Sequence, residues 1–125
     1  IICALVFLDA DNFKRLNDTF GHEYGDKVLQ RIVAVLKEQC PEGGYVCRYG
    51  GDEFITFFPH ATPANTNEYV QKVQKLLGKE RIEVSMGTKL TQPGDGESLD
   101  DYLALADERM YQQKQQRKEQ SHDAQ

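Results

Sequence analysis

A chain of 125 residues that is 39% hydrophobic is one domain, large enough for one ordinary core, and its formal net charge of −5 excludes a basic field drawing it to nucleic acid. Any anionic ligand must then be held by local cations or a metal. Cys3, Cys40 and Cys47 are odd in number and fit no zinc spacing, so they read as reduced packing residues of a cytosolic domain; no stretch is long enough to span a membrane.

Residues 1–8 form a continuous apolar run, which predicts a central strand buried on both faces. The run is too short for a signal peptide and lacks the basic flank. A chain that begins inside such a strand reads as a fragment of a longer protein. After Asp9-Ala10-Asp11, residues 12–18 predict a short helical turn with Phe13 and Leu16 inward, and residues 19–25 a loop in which His22 is a turn residue. A helix follows from Asp26 to about Cys40. Val28, Leu29, Ile32, Val33, Val35 and Leu36 form its apolar stripe, and Pro41 ends it.

Glu42-Gly43-Gly44 turns the chain into two short apolar runs, residues 45–49 and 54–58. Gly50-Gly51-Asp52-Glu53 separates them. This predicts a β-hairpin with carboxylates at its tip, where glycine allows φ > 0 and close approach of a ligand. Pro59 and Pro63 punctuate the exit. Thr62 is the expected N-cap of a helix striped by Tyr69, Val70, Val73, Leu76 and Leu77, with Gly78 as C-cap. Ile82, Val84 and Met86 alternate as a strand, and residues 91–96 read as a loop or small hairpin. Ser98-x-x-Asp101 is a capping box opening a last helix that buries Leu99, Tyr102, Leu103, Ala106 and Met110. From Gln112 the chain is polar and expected to fray, leaving residues 119–125 as a disordered tail.

Strand, helix, strand, strand, helix, strand is the ferredoxin-like α+β arrangement, an α/β sandwich with an antiparallel-containing sheet and helices expected on one face. Within it, Asp9 ends a buried strand, where a carboxylate is costly unless something pairs with it. If that strand lies beside the hairpin, Asp9 and Asp52 converge. Mg²⁺ takes one or two protein carboxylates and leaves its other positions to water and phosphates. Asp11 reads as a helix-start residue, favourable beside backbone N–H groups.

The blocks Asp9-Ala10-Asp11-Asn12-Phe13-Lys14-Arg15-Leu16-Asn17-Asp18-Thr19-Phe20-Gly21-His22 and Arg48-Tyr49-Gly50-Gly51-Asp52-Glu53-Phe54 together resemble the GGDEF family of diguanylate cyclases. The likeness covers nearly the whole chain and fades after Lys114. It implies a palm-like βαββαβ core shared with class III nucleotide cyclases and polymerase palms, spanning residues 1–118. The family's preceding helix, with its Asp-x-Leu-Thr-Gly-Leu-x-Asn-Arg motif, is not in this sequence.

The resemblance also implies a chemistry: condensation of two GTP to cyclic di-GMP and pyrophosphate, with Mg²⁺ or Mn²⁺, where two such domains face each other as a homodimer. An upstream sensor or dimerising domain would bring them together. The setting is cytoplasmic, or the cytoplasmic domain of a membrane-anchored sensor, with no membrane contact by this segment. Asp9, Asp52 and the Ala10 carbonyl are the implied metal ligands. Asp52 is also the implied proton acceptor, and Glu53 can share either task, ligand or acceptor. Backbone N–H groups of Asn12, Phe13 and Lys14 can hold phosphate oxygens, and Lys14 is the implied transition-state cation. Lys114 matches a phosphate-binding lysine. Lys118 stands where the family has arginine, and Arg117 replaces a glycine, so bidentate geometry is kept only if Arg117 substitutes. Asn17 and Asp26 match the guanine-reading pair, whose donors and acceptors fit the Watson–Crick edge.

The alternative is a non-catalytic member that binds GTP or a partner as a regulatory module. A cyclase for other nucleotides is disfavoured by Asp26. Pro41 and Gly44 occupy the positions of the family's Arg-x-x-Asp product-binding motif, so no tight cyclic di-GMP site is expected at that turn.

Overall fold

The elements run β1 (Cys3–Ala10), α1 (Phe13–Phe20), α2 (His22–Gln39), β2 (Tyr45–Arg48), β3 (Glu53–Phe58), α3 (Pro63–Lys79), β4 (Val84–Thr91) and α4 (Leu99–Asp123). The structure is a computed structural model. It describes the backbone of residues 1–91, 94, 96 and 98–123, and the side chains of these except 99, 102, 103, 106 and 117–123. The expected loop at residues 91–96 therefore lies largely outside the described residues, as do the side chains of Leu99, Tyr102, Leu103 and Ala106.

The four strands form one sheet in the order β2-β3-β1-β4, with every neighbouring pair antiparallel. The α1–α2 connection carries the chain from β1 over β3 to β2, and α3 carries it from β3 over β1 to β4. These two interleaved crossovers are the ferredoxin-like topology expected from the element order. Side chains alternate along β1. Ala4, Val6, Leu8 and Ala10 join the cluster under α2 and α3 with Ile32, Leu36, Phe54, Phe58, Val73, Leu77 and Val84. Each large side chain buried here contributes about 1.5–3 kcal/mol. The one buried polar pair among them is satisfied: Thr56 Oγ1 and Tyr69 Oη lie 2.8 Å apart, and Tyr69 donates to the Leu36 carbonyl at 3.1 Å.

Leu5, Phe7 and Ile55 face the other way and pack with Met110 of α4. The expectation of helices on one face is thus corrected. A strand apolar on both sides needs cover on both, and α4 supplies the second. That helix also guards the outer edge of β4: Gln113 Oε1 accepts from the Met86 N–H at 2.6 Å, and Arg109 Nη1 donates to the Thr88 carbonyl at 2.5 Å. The helix itself runs through the polar stretch after Gln112 to Asp123. The capping box at its start forms in both directions, Asp101 N to Ser98 Oγ at 3.2 Å and Ser98 N to Asp101 Oδ2 at 3.0 Å.

Three helix boundaries differ from the sequence reading. Residues 19–25 are not a loop: α1 runs to Phe20, and Gly21 alone, at φ 93°, separates it from α2. Only glycine takes that conformation cheaply, so one residue does the work expected of seven. His22 opens α2, and Asp26 lies within it rather than capping it. At α3, Thr62 and Asn65 form the cap, but Gly78 stays inside the helix and Arg81 takes the left-handed turn at φ 62°. Among the cysteines, Cys3 and Cys40 are half-buried as packing residues, whereas Cys47 is exposed on β2, an edge strand with little to pack against.

Candidate active site

Register places the acids. Asp9 lies opposite Glu53 of β3 on one side and Ser85 of β4 on the other. The Asp52 carbonyl accepts from the Ala10 N–H at 3.1 Å, which ties the hairpin tip to the end of β1. The predicted convergence of Asp9, Ala10 and Asp52 is therefore built into the sheet. Burial pushes the Asp9 carboxyl up to about 6, the Asp52 charge pushes the same way, and the hydrogen bond from Lys114 opposes both. Burial also raises Glu53, followed by the charges of Asp52 and Asp107.

Lys114 arrives from α4. Its Nζ lies 2.8 Å from Asp9 Oδ2 and 3.8 Å from Asp11 Oδ1. Burial alone would lower this ammonium, but the Asp9 hydrogen bond and the charges of Asp9, Asp11 and Asp52 together raise it. The other Asp9 oxygen, Oδ1, is buried with no hydrogen-bond partner among the described residues. An orphaned carboxylate oxygen beside a second carboxylate is an unmet demand for positive charge. This donor set fits a hard divalent cation held by Asp9, Asp52 and the Ala10 carbonyl. No group of three or more His, Cys, Asp or Glu able to hold a metal occurs among the described residues, so water and phosphate would complete such a shell.

The hairpin tip differs from expectation in its mechanics. Neither Gly50 nor Gly51 takes a positive φ. The turn is held instead by the Glu53 carbonyl, which accepts from Tyr49 N at 2.9 Å and Gly50 N at 3.2 Å, and by Arg48, whose Nε reaches the Gly50 carbonyl at 3.1 Å and Nη2 the Gly51 carbonyl at 2.5 Å. With two carbonyls bonded inward, the chain does not need left-handed glycine. The space beside Gly51 is open, with nothing within 4 Å of where a Cβ would stand.

After β1 the chain enters α1 at once. Asn12, at φ 55°, caps α1 from the left-handed conformation, which asparagine tolerates. Phe13 is half-buried and Lys14 exposed, with no ion pair among the described residues, so that cation is available to a ligand. Asn17 is brought to the start of α2 by a close contact: a Cβ on Gly25 would stand 1.8 Å from Asn17 Oδ1. That oxygen is buried and has no hydrogen-bond partner among the described residues. Asp26, the next residue after Gly25, opens onto a cleft of about 360 Å³ shared with Leu29, Gln30, Val33, Arg48 and Phe54. Lys118 and Arg117 have side chains outside the described residues.

Some contributors were missed from sequence. Asp11 is not a helix-start acid: its carboxylate accepts from buried Ser85 at 2.7 Å and faces Lys114. The i, i+2 spacing from Asp9 carried that signal, since alternate residues of a strand share a face. Gly25 inside an apolar-striped helix signals close packing. Arg48 left no such signal, because its targets are backbone carbonyls.

The family described as diguanylate cyclase, GGDEF domain, matches residues 2–120. Diguanylate cyclase VdcA of Vibrio cholerae is 31% identical over 121 residues, covering 89% of this chain and 36% of that protein. The probable diguanylate cyclase DgcI of Escherichia coli is 35% identical over 112 residues, 88% of this chain and 25% of that protein. The chain thus spans about a quarter to a third of these relatives' length. Among solved structures, the GGDEF domain of DgcB from Caulobacter crescentus, in complex with c-di-GMP, superposes with a TM-score of 0.84 at 28% identity, over 91% of this chain and 72% of that one.

Proposed function

This chain belongs to the GGDEF family of diguanylate cyclases, and from that premise we propose that it condenses two GTP molecules to cyclic di-GMP with release of pyrophosphate. The observation that supports this most is the Asp52 charge beside Asp9, whose buried Oδ1 has no hydrogen-bond partner among the described residues. Each domain binds one GTP, so the reaction takes place where two copies face each other. The ribose 3′-oxygen of one nucleotide attacks the α-phosphorus of the other. Asp9, Asp52 and the Ala10 carbonyl would hold Mg²⁺ or Mn²⁺, which when bound activates the attacking oxygen and neutralises the leaving phosphates.

The chain's own groups do the rest. Asp52 or Glu53 accepts the proton of the attacking hydroxyl, and the raised Glu53 carboxyl supports that reading. Backbone N–H groups of Asn12, Phe13 and Lys14 hold phosphate oxygens, and the Lys14 ammonium adds a fixed charge. Asn17 and Asp26 read guanine, leaving polar groups unpaired if adenine enters. Lys114 meets the triphosphate from α4, and the family resemblance adds Lys118 to that role.

The test is to incubate the chain with GTP and Mg²⁺ over a concentration series and identify products by mass. Cyclic di-GMP should appear with specific activity rising with protein concentration, because the site is shared between copies. Absence of product at every concentration, including when the chain is fused behind a dimeric coiled coil, would replace this reading with a GTP-binding regulatory module.

A further inference from the structure

We infer that Lys114 is a resident counter-cation of the metal site, and that it makes uptake of the divalent ion depend on the nucleotide. The inference rests on the reading that Asp9 and Asp52 hold that ion. Its basis is the geometry around one ammonium. Lys114 Nζ lies 2.8 Å from Asp9 Oδ2, on a carboxylate only 13% exposed, and reaches it from α4, 105 residues away in sequence. Asp11, only 6% exposed, stands on the same ammonium at 3.8 Å. Asp11 is itself fixed by Ser85, which is 0% exposed and donates to it at 2.7 Å. The lysine is thus held between two anchored carboxylates.

A monovalent ammonium and a divalent ion drawing on the same Asp9 carboxylate repel each other at close range in a partly dry site. Entry of the ion alone must therefore weaken the Lys114–Asp9 pair. A triphosphate changes the balance, because its oxygens can take up the ammonium as it leaves Asp9. Asp11 keeps the ammonium close enough to be handed over rather than lost to solvent. Nucleotide and metal then favour each other's binding, and by linkage the effect is equal in both directions.

The test is Mn²⁺ binding followed by electron paramagnetic resonance of the free ion, with and without a non-hydrolysable guanosine triphosphate analogue. The expected result is that Lys114→Gln binds Mn²⁺ without nucleotide more tightly than wild type by roughly 5- to 150-fold, the usual span of such couplings, while the gain produced by adding nucleotide shrinks. Lys114→Arg keeps the charge and should restore weak binding of the ion alone. Circular dichroism checks that both variants are folded. Unchanged or weaker Mn²⁺ affinity in Lys114→Gln, or Lys114→Arg behaving like Lys114→Gln, overturns the inference. Asp9→Asn separates the two levels. If it abolishes Mn²⁺ binding while Lys114→Gln changes nothing, the metal site stands and the exchange is wrong. If Asp9→Asn binds Mn²⁺ like wild type, the metal assignment itself has failed.

Discussion

The two faces of the sheet divide the labour between them. Under α2 and α3 lies a dry face, on which Ala4, Val6, Leu8, Phe54, Phe58 and Val84 pack and the buried Thr56–Tyr69 pair is hydrogen-bonded. Under α4 the apolar part is small, Leu5, Phe7, Ile55 and Met110, and it gives way to Asp9, Glu53 and Lys114 around an open cleft of about 600 Å³. One strand, β1, serves both. Its even residues build the core and its odd residues lead from core to chemistry within three positions: Leu5, Phe7, Asp9. The side chains of this single strand thus sort by parity, with the Ala10 carbonyl joining the site from the backbone, and substitutions on the two faces should fail in different ways.

The largest effect is expected at Asp52→Asn. Removing one carboxylate should cost several kcal/mol of transition-state stabilisation, on the order of 10³-fold in cyclase rate, with the thermal midpoint little changed. Wild-type turnover by the folded variant would move the site elsewhere. On the dry face the pattern inverts. Phe58→Ala, at a side chain with 0% exposure, should lose about 3–5 kcal/mol in urea unfolding. Met110→Ala, in the smaller cluster, should sit near the low end of the roughly 2–5 kcal/mol range for such truncations, and equal losses at both positions would erase the asymmetry.

Gly25→Ala probes the seam between helix packing and ligand recognition. Alanine would ordinarily favour a helix interior by about 1 kcal/mol. Here its Cβ would stand 1.8 Å from Asn17 Oδ1, so Asn17 must leave. Overpacking of this kind costs about 1–3 kcal/mol, and GTP affinity measured by calorimetry should drop with it. Unchanged affinity would remove Asn17 from guanine reading.

The smallest effect concerns pH. The Asp9 carboxyl sits at about 6 in the fold against 3.8 unperturbed, so the folded state binds the extra proton between these values. Its contribution to stability is fully present below about 4 and is lost as pH rises through about 6. The metal-free chain should therefore melt at a lower temperature at pH 7.5 than at pH 5 from this group. Asp9→Asn should flatten that slope, and an equal slope in wild type and variant would count against the assignment.

Much of this was legible in the sequence. The β1 run, the α2 and α3 stripes, the Thr62 cap, the Ser98–Asp101 capping box and the hairpin are local patterns, and each formed at or near the place periodicity or cap chemistry gave it. Convergence of Asp9 and Asp52 followed from the ends of two elements. What escaped depends on other parts of the chain. The α1–α2 corner reads as loop because Gly21, Gly25 and Asp26 look like turn residues, and only the Asn17 contact shows why Gly25 is helical. The second helical face was missed because an apolar stripe read from sequence does not say which side of the sheet its helix meets. The Ser85–Asp11 and Lys114–Asp9 contacts join distant parts of the chain, and no spacing rule links residues 74 and 105 positions apart.

The seal that α4 places on β4 has a consequence for how the domain fails. Arg109 and Gln113 occupy the β4 backbone groups at the sheet's border, and Lys114, the next residue along, faces Asp9. Fraying of this stretch would silence the site and at the same moment bare a strand border able to pair with another chain. Inactivation and self-association then share one trigger. A cell selecting against aggregates of this domain would, through these adjacent positions, also be selecting for its chemistry.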